Sequence, residues 1–222
     1  MKTASAIIIL LLFISLGATA QKTTVYHKKG YTLTFINYDA TFDTTEQQRM
    51  VNTFFTVYPE LAKTYNPNTL KAVTMVIDTI YTGVAATDNG KVTVSNKWMH
   101  KHPEDIDVVT HEVMHIVQDY GNSNGPGWLT EGIADYARNE FGVNNAAAKW
   151  ELHDYKPGQN YTDAYRVTAR FLVWMEAKVK PGIVKTLDSQ MRAHTFTDNT
   201  WKQLTGKTVD ELWKSYTDNS TI

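Results

Sequence analysis

The chain has 222 residues, is 42% hydrophobic and 20% charged, and carries a formal net charge of −1. That is apolar mass enough for one domain or a tight pair, without the positive footprint that nucleic-acid binding requires. It contains no cysteine, which excludes disulfides, thiol nucleophiles and thiolate ligands, so any metal must be held by His, Asp or Glu.

The N-terminus reads as an export signal. Lys2 precedes the apolar run AIIILLLFISLGA, and Ala18-Thr19-Ala20 offers a small-x-small cleavage pattern. The run is short for a bilayer span of about 20 residues. Residues 1–20 are therefore expected to be a cleaved signal peptide. This leaves 21–222 as a secreted domain, extracellular or periplasmic, with no stable membrane association after cleavage.

Two short strands follow, VYH and YTLTFI, turning at Lys28-Lys29-Gly30. Thr44-Thr45-Glu46-Gln47 resembles a capping box, opening a helix whose apolar residues recur at helical spacing up to about Thr64. A buried strand is expected within 70–80. Next comes a hairpin, Val84-Ala85-Ala86 and KVTVS, turning at Thr87-Asp88-Asn89-Gly90. Pro103, Glu104 and Asp105 suit the first turn of a helix running to about Tyr120, with Gly121 as its stop. Pro126-Gly127 opens another helix, over about 127–140. A third spans 161–178, and two or three short ones follow, the last opened by a capping box at Thr208-Val209-Asp210-Glu211. Strands come first and helices later, so the expected class is α+β rather than alternating βαβ units.

The chemistry is concentrated in HEVMHIVQDYGNSNGPGWLTEGIADYAR, His111 to Arg138. Positions i and i+4 share a helix face, so His111 and His115 project together and can ligate one Zn²⁺, with Glu112 beside them as general base toward a water on the metal. The surrounding valines imply a buried helix, where such polar groups need partners. A third ligand at position 121 is excluded by Gly121. Glu131 is the candidate third ligand, and Asp135, one turn on, the group that orients a ligand histidine through its far nitrogen. Asp135 as third ligand is the alternative.

The runs HEVMHIVQDY, GWLTEGIADYAR, VTARFLVWME and LTGKTVDELWKSY, in that order over most of the mature chain, resemble the basic secretory protein family of zincin-like metallopeptidases. The E-x-x-x-D arrangement is similar to that of the gluzincins. The resemblance implies a zincin-like fold, in which an N-terminal mixed β-sheet carries the active-site helix ahead of a helical C-terminal half. It also implies one catalytic Zn²⁺ and secreted peptidase activity. The chain departs from the family's basic character, with a pI of about 6.7.

A peptidase needs a donor for the developing oxyanion. Tyr165 is the first candidate, with His153 and Tyr161 next. Gln118, one turn beyond His115, is placed to support the site. His27, His100, His102 and His194 carry no pattern. One strand of the hairpin, 84–86 or 91–94, is expected to pair with extended substrate. The expected partner is a peptide or protein substrate, and the expected mode is endopeptidase, since no motif for gripping a free amino terminus is visible. A non-catalytic zinc-binding extracellular module is the alternative. Oligomeric state is not legible.

Overall fold

Leu33 and Phe35 on one strand, and Met75 and Ile77 on the next, are completely buried at alternate positions, the period that turns one face of a sheet inward. Residues 21–122 and 125–222 are described by the structure, a computed structural model. The expected signal peptide, 1–20, lies outside them. Strands β1 (Lys22–Lys28), β2 (Tyr31–Asn37), β3 (Ala72–Asp78), β4 (Ala85–Asp88) and β5 (Lys91–Ser95) form one sheet in the order β1-β2-β3-β5-β4. The hairpin pairs β1/β2 and β4/β5 are antiparallel, while β2/β3 and β3/β5 are parallel. Both hairpins turn within the segments the sequence marks, but over two residues each, since Lys28, Thr87 and Asp88 stay in their strands. Lys29-Gly30 (φ 53° and 77°) and Asn89-Gly90 (φ 47° and 76°) occupy the left-handed region that two-residue hairpins require.

Helix α1 (Thr44–Thr64) packs Met50, Phe54, Tyr58 and Leu61 into the same apolar cluster as the sheet. Its cap is one residue earlier than the sequence pattern suggests. Asp43 accepts from the Thr45 and Glu46 amides at 2.7 and 2.9 Å, so the Thr44 box does not form. A short helix α2 (Asn96–Lys101) precedes the expected one and was not foreseen.

The motif helix itself, α3 (Val108–Gln118), starts later than Pro103 and ends earlier than Tyr120. The acidic residues expected in its first turn, Glu104 and Asp105, lie ahead of it and are used elsewhere, Glu104 on Arg49. Asp107 is completely buried and accepts from the Val143 amide at 2.9 Å, the Asn144 amide and Thr110 Oγ1 at 2.8 Å. Asp105 holds Arg138 and, at 2.8 Å, the Trp98 indole. Asp119 (φ 44°) turns the chain at the C-terminus, two residues before Gly121. Val109, Val113, Met114 and Val117 are all fully buried. Each such side chain is worth about 1.5–3 kcal/mol relative to exposure, which fixes α3 rigidly between α1 and the rest.

Helix α4 (Gly127–Phe141) begins where expected. The 161–178 segment does not form one helix. A 3-10 turn, Tyr161–Asp163, is followed by Ala164 (φ 64°, ψ −171°), and α5 runs from Tyr165 to Lys178. Helices α4 and α5 approach closely at Gly132, where an added Cβ would lie 2.6 Å from the Thr168 Cβ. Three shorter helices complete the chain: α6 (Ile183–Arg192), α7 (Asn199–Thr205) and α8 (Val209–Asp218). The expected box opens α8, with Glu211 N on Thr208 Oγ1 at 3.2 Å and Thr208 N on Glu211 Oε2 at 2.7 Å. The described residues thus form an α+β fold with a mixed five-stranded sheet and eight α-helices. None of those helices is long and apolar enough to cross a membrane.

Candidate metal centre

Two helices supply the centre. On α3, His111 and His115 stand one turn apart with ring centroids 4.9 Å apart and planes at 82°. Their Nε2 atoms are 3.1 Å from each other. From α4, Glu131 brings Oε2 to 3.3 Å from His111 Nε2 and 3.6 Å from His115 Nε2. All three donor atoms lie within 4.8 Å of one another.

The far side of each imidazole is held. His111 Nδ1 lies 2.7 Å from Asp135 Oδ1, and His115 Nδ1 lies 2.7 Å from Gln118 Oε1. Gln118 Nε2 in turn donates to the Thr130 carbonyl at 2.9 Å. Both acceptors assign the hydrogen of a neutral imidazole to Nδ1, which leaves the Nε2 lone pairs pointing at each other and at a carboxylate. Such an arrangement repels itself unless a proton or a cation is shared among the three atoms. Two imidazoles and a carboxylate suit Zn²⁺, and three protein ligands are the complement of a catalytic zinc site. The residues present therefore fit that ion. Asp135 is engaged with His111 and faces away from the shared point, so Glu131 is the third donor of the cluster.

The electrostatics follow from the same geometry. Burial opposes a charge on His111, yet Asp135 and Glu131 outweigh it and hold its pKa up at about 10. Burial likewise opposes ionised Glu131, and the two histidines hold its pKa down at about 2. The pocket strongly favours positive charge at its centre.

Glu112 is buried on the same helix, and its Oε2 lies 2.6 Å from Thr87 Oγ1. That hydroxyl also lies 3.0 Å from the Glu112 carbonyl, so its single hydrogen serves one oxygen at a time. Thr87 belongs to β4, the sheet edge, and β4 lines the cleft. Sequence reading treats Thr87 as a turn residue, since nothing local marks a hydroxyl that reaches a helix 25 positions on. The other candidate substrate strand, β5, is paired on both sides by β3 and β4. Of these two strands, β4 is the one with a free edge among the described residues.

Tyr165 is exposed, and its ring stacks over His111 at 6.2 Å with planes at 19°. The preceding backbone makes this possible. Ala164 and Tyr165 both have positive φ, 64° and 49°, at a cost on the order of 1–3 kcal/mol each. The charge of Glu131, then burial, raises the Tyr165 pKa, so the phenol stays a hydrogen-bond donor. The other two oxyanion candidates are elsewhere. Tyr161 donates to Asp210 at 2.7 Å and packs on Trp128 and Trp213. His153 is half exposed beside Glu151. His100 pairs with Asp39 at 2.7 Å, and His102 packs its ring, tilted, against Trp98. The cleft over the centre has a volume of about 920 Å³, walled by Val84 to Thr87 on one side and Trp150, Tyr165 and Arg166 on the other.

A family model described as peptidase of plants and bacteria matches residues 22–216. No curated protein matches the sequence. Among solved structures, the chain is similar to a mutant two-domain M1 zinc metallopeptidase bound to L-tryptophan, at 16% identity and a TM-score of 0.45, covering 90% of this chain and 48% of that one. It is also similar to an M1 zinc metallopeptidase mutant from Deinococcus radiodurans bound to a Tyr-Ser-Ala substrate, at 17% identity and a TM-score of 0.46, covering 88% and 48%. The chain spans about half the length of these structures.

Proposed function

The chain belongs to this family of peptidases of plants and bacteria, and on that premise we propose that it is a secreted zinc-dependent peptidase of zincin type. The observation that carries the reading is the convergence of His111, His115 and Glu131 within 4.8 Å, with Glu112 in the same cleft. A Zn²⁺ held by these donors would supply Lewis acidity toward a peptide carbonyl and make water a stronger acid.

The chain's own residues do the rest. Glu112 is the general base. Thr87 holds its Oε2, and the proton of the attacking water is taken at Oε1, then passed to the departing amine. Tyr165 donates its phenolic hydrogen toward the oxygen that gains charge. The free edge of β4 pairs with extended substrate through main-chain hydrogen bonds. Asp135 and Gln118 keep both imidazoles in the ligating tautomer. The substrate is a peptide or protein, and internal cutting is the expected mode.

The test uses residues 21–222, loaded with zinc, against a diverse peptide mixture, with new termini read by mass spectrometry and Glu112→Gln run beside it. Cleavage by the wild type alone is the expected result, and the termini distinguish internal cutting from end trimming. Equal cleavage by both proteins would remove Glu112 as the base. A folded wild-type protein that takes up no zinc would overturn the reading.

A further inference from the structure

Two arginines line the cleft, and they are in opposite situations. Arg138 is buried, paired with Asp105 and bonded to Asn145 Oδ1 at 3.1 Å. Its guanidinium lies 4.4 Å from the Trp150 ring centroid, and nothing of its charge remains to offer. Arg166 lies 5.1 Å from the same ring. It has no carboxylate partner among the described residues, and its one hydrogen-bond neighbour is His153 Nε2 at 3.5 Å. It follows Tyr165 in the chain, whose ring covers His111.

Past Trp98 and Trp150 the cleft runs on into a smaller depression of about 360 Å³, which Arg166 shares. Lys101 and Lys149 line it, also without an ion pair among the described residues. Its two acids are neutralised, Glu104 by Arg49 and Asp105 by Arg138. One flank of the cleft is thus cationic in a chain whose net charge is −1.

We propose that Arg166, braced on Trp150, receives a carboxylate of the substrate, with Lys101 and Lys149 extending the preference outward. A planar guanidinium held against an aromatic face, with no carboxylate already on it, is the group that recognises a carboxylate by paired hydrogen bonds. The carboxylate has two sources, an acidic side chain near the scissile bond or the peptide's own C-terminus. The inference rests on the cleft being a peptide-binding cleft.

The experiment measures binding and cutting separately. The probe is a labelled alanine-rich peptide with a central pair of neighbouring glutamates or glutamines, each ending in a free carboxylate or an amide. Affinities are measured on the zinc-loaded Glu112→Gln protein, alone and with Arg166→Gln or Arg166→Lys, and the wild type reports cleavage. Melting curves verify that each variant is folded.

Forms carrying the recognised carboxylate are expected to bind at least about tenfold more tightly than the form with neither, and Arg166→Gln to shrink that ratio to about twofold, with Arg166→Lys between. Dependence on the central glutamates identifies a side chain, and dependence on the end group identifies the C-terminus. Equal binding of all forms, or a ratio untouched by Arg166→Gln in a folded protein, would overturn the proposal. A carboxylate preference without cleavage of any form by the wild type would leave this site standing and sink the peptidase reading instead.

Discussion

Asp135 Oδ1 lies 2.7 Å from His111 Nδ1, and both side chains are almost wholly buried. The bond fixes the ring's tautomer and aims its other nitrogen at the point shared with His115 and Glu131. Asp135→Ala is therefore expected to weaken zinc binding by about 10–100-fold, measured by competition with a chromogenic chelator. Wild-type affinity in that variant would mean the ring is oriented by packing alone.

Thr87 is expected to act by positioning Glu112. Thr87→Val removes the hydroxyl at 2.6 Å from Oε2 while keeping the shape. The turnover number should fall about tenfold, the worth of one hydrogen bond to a charged group, with zinc content unchanged and Thr87→Ser restoring most of the rate. A KM effect alone would assign Thr87 to the substrate edge rather than to the base.

Tyr165→Phe keeps the ring over His111 and removes only the donor. The proposed oxyanion role predicts a loss of about 10²–10³ in kcat with KM and zinc affinity little altered. An unchanged kcat would reduce Tyr165 to a wall of the cleft.

On α1, Glu46 is buried, and its Oε1 has no hydrogen-bond partner among the described residues. Burial pushes its pKa up from 4.5 to about 7, with His100 and Arg49 pulling down and Asp43 and Glu104 pushing up. Between those values the folded chain holds a proton that the unfolded chain has released, so stability falls as pH rises through this window. The full cost above it is about 3 kcal/mol. Glu46→Gln should raise the melting temperature near pH 8 and leave it little changed near pH 4. An equal shift at both pH values would assign the effect to packing.

The strands and both hairpins were legible because alternation and Asn-Gly or Lys-Gly turns are local signals. So were α4 and the box that opens α8. The ends of α3 were not. Glu104 and Asp105 look like first-turn acids, but their carboxylates serve Arg49, Arg138 and Trp98, and no periodicity reveals a distant partner. The break at Ala164 was hidden for a related reason, since alanine is a good helix former with no local cause to adopt φ 64°. At the site, the spacing of His111, His115, Glu131 and Asp135 could be read because it follows helical geometry within two adjacent helices. Thr87 and Arg166 could not, because their meaning depends on what lies across the cleft.

The donor cluster and its braces draw on neighbouring helices, and His111 and Asp135 are only 24 residues apart. Closing that segment costs about 0.5 kcal/mol less chain entropy than joining Leu33 of β2 to Val73 of β3, across the whole of α1. The consequence is kinetic. Helices α3 and α4 can meet early during folding, ahead of the parallel sheet, so zinc supplied at the start of refolding should speed the appearance of native structure, and zinc supplied afterwards should only slow its loss.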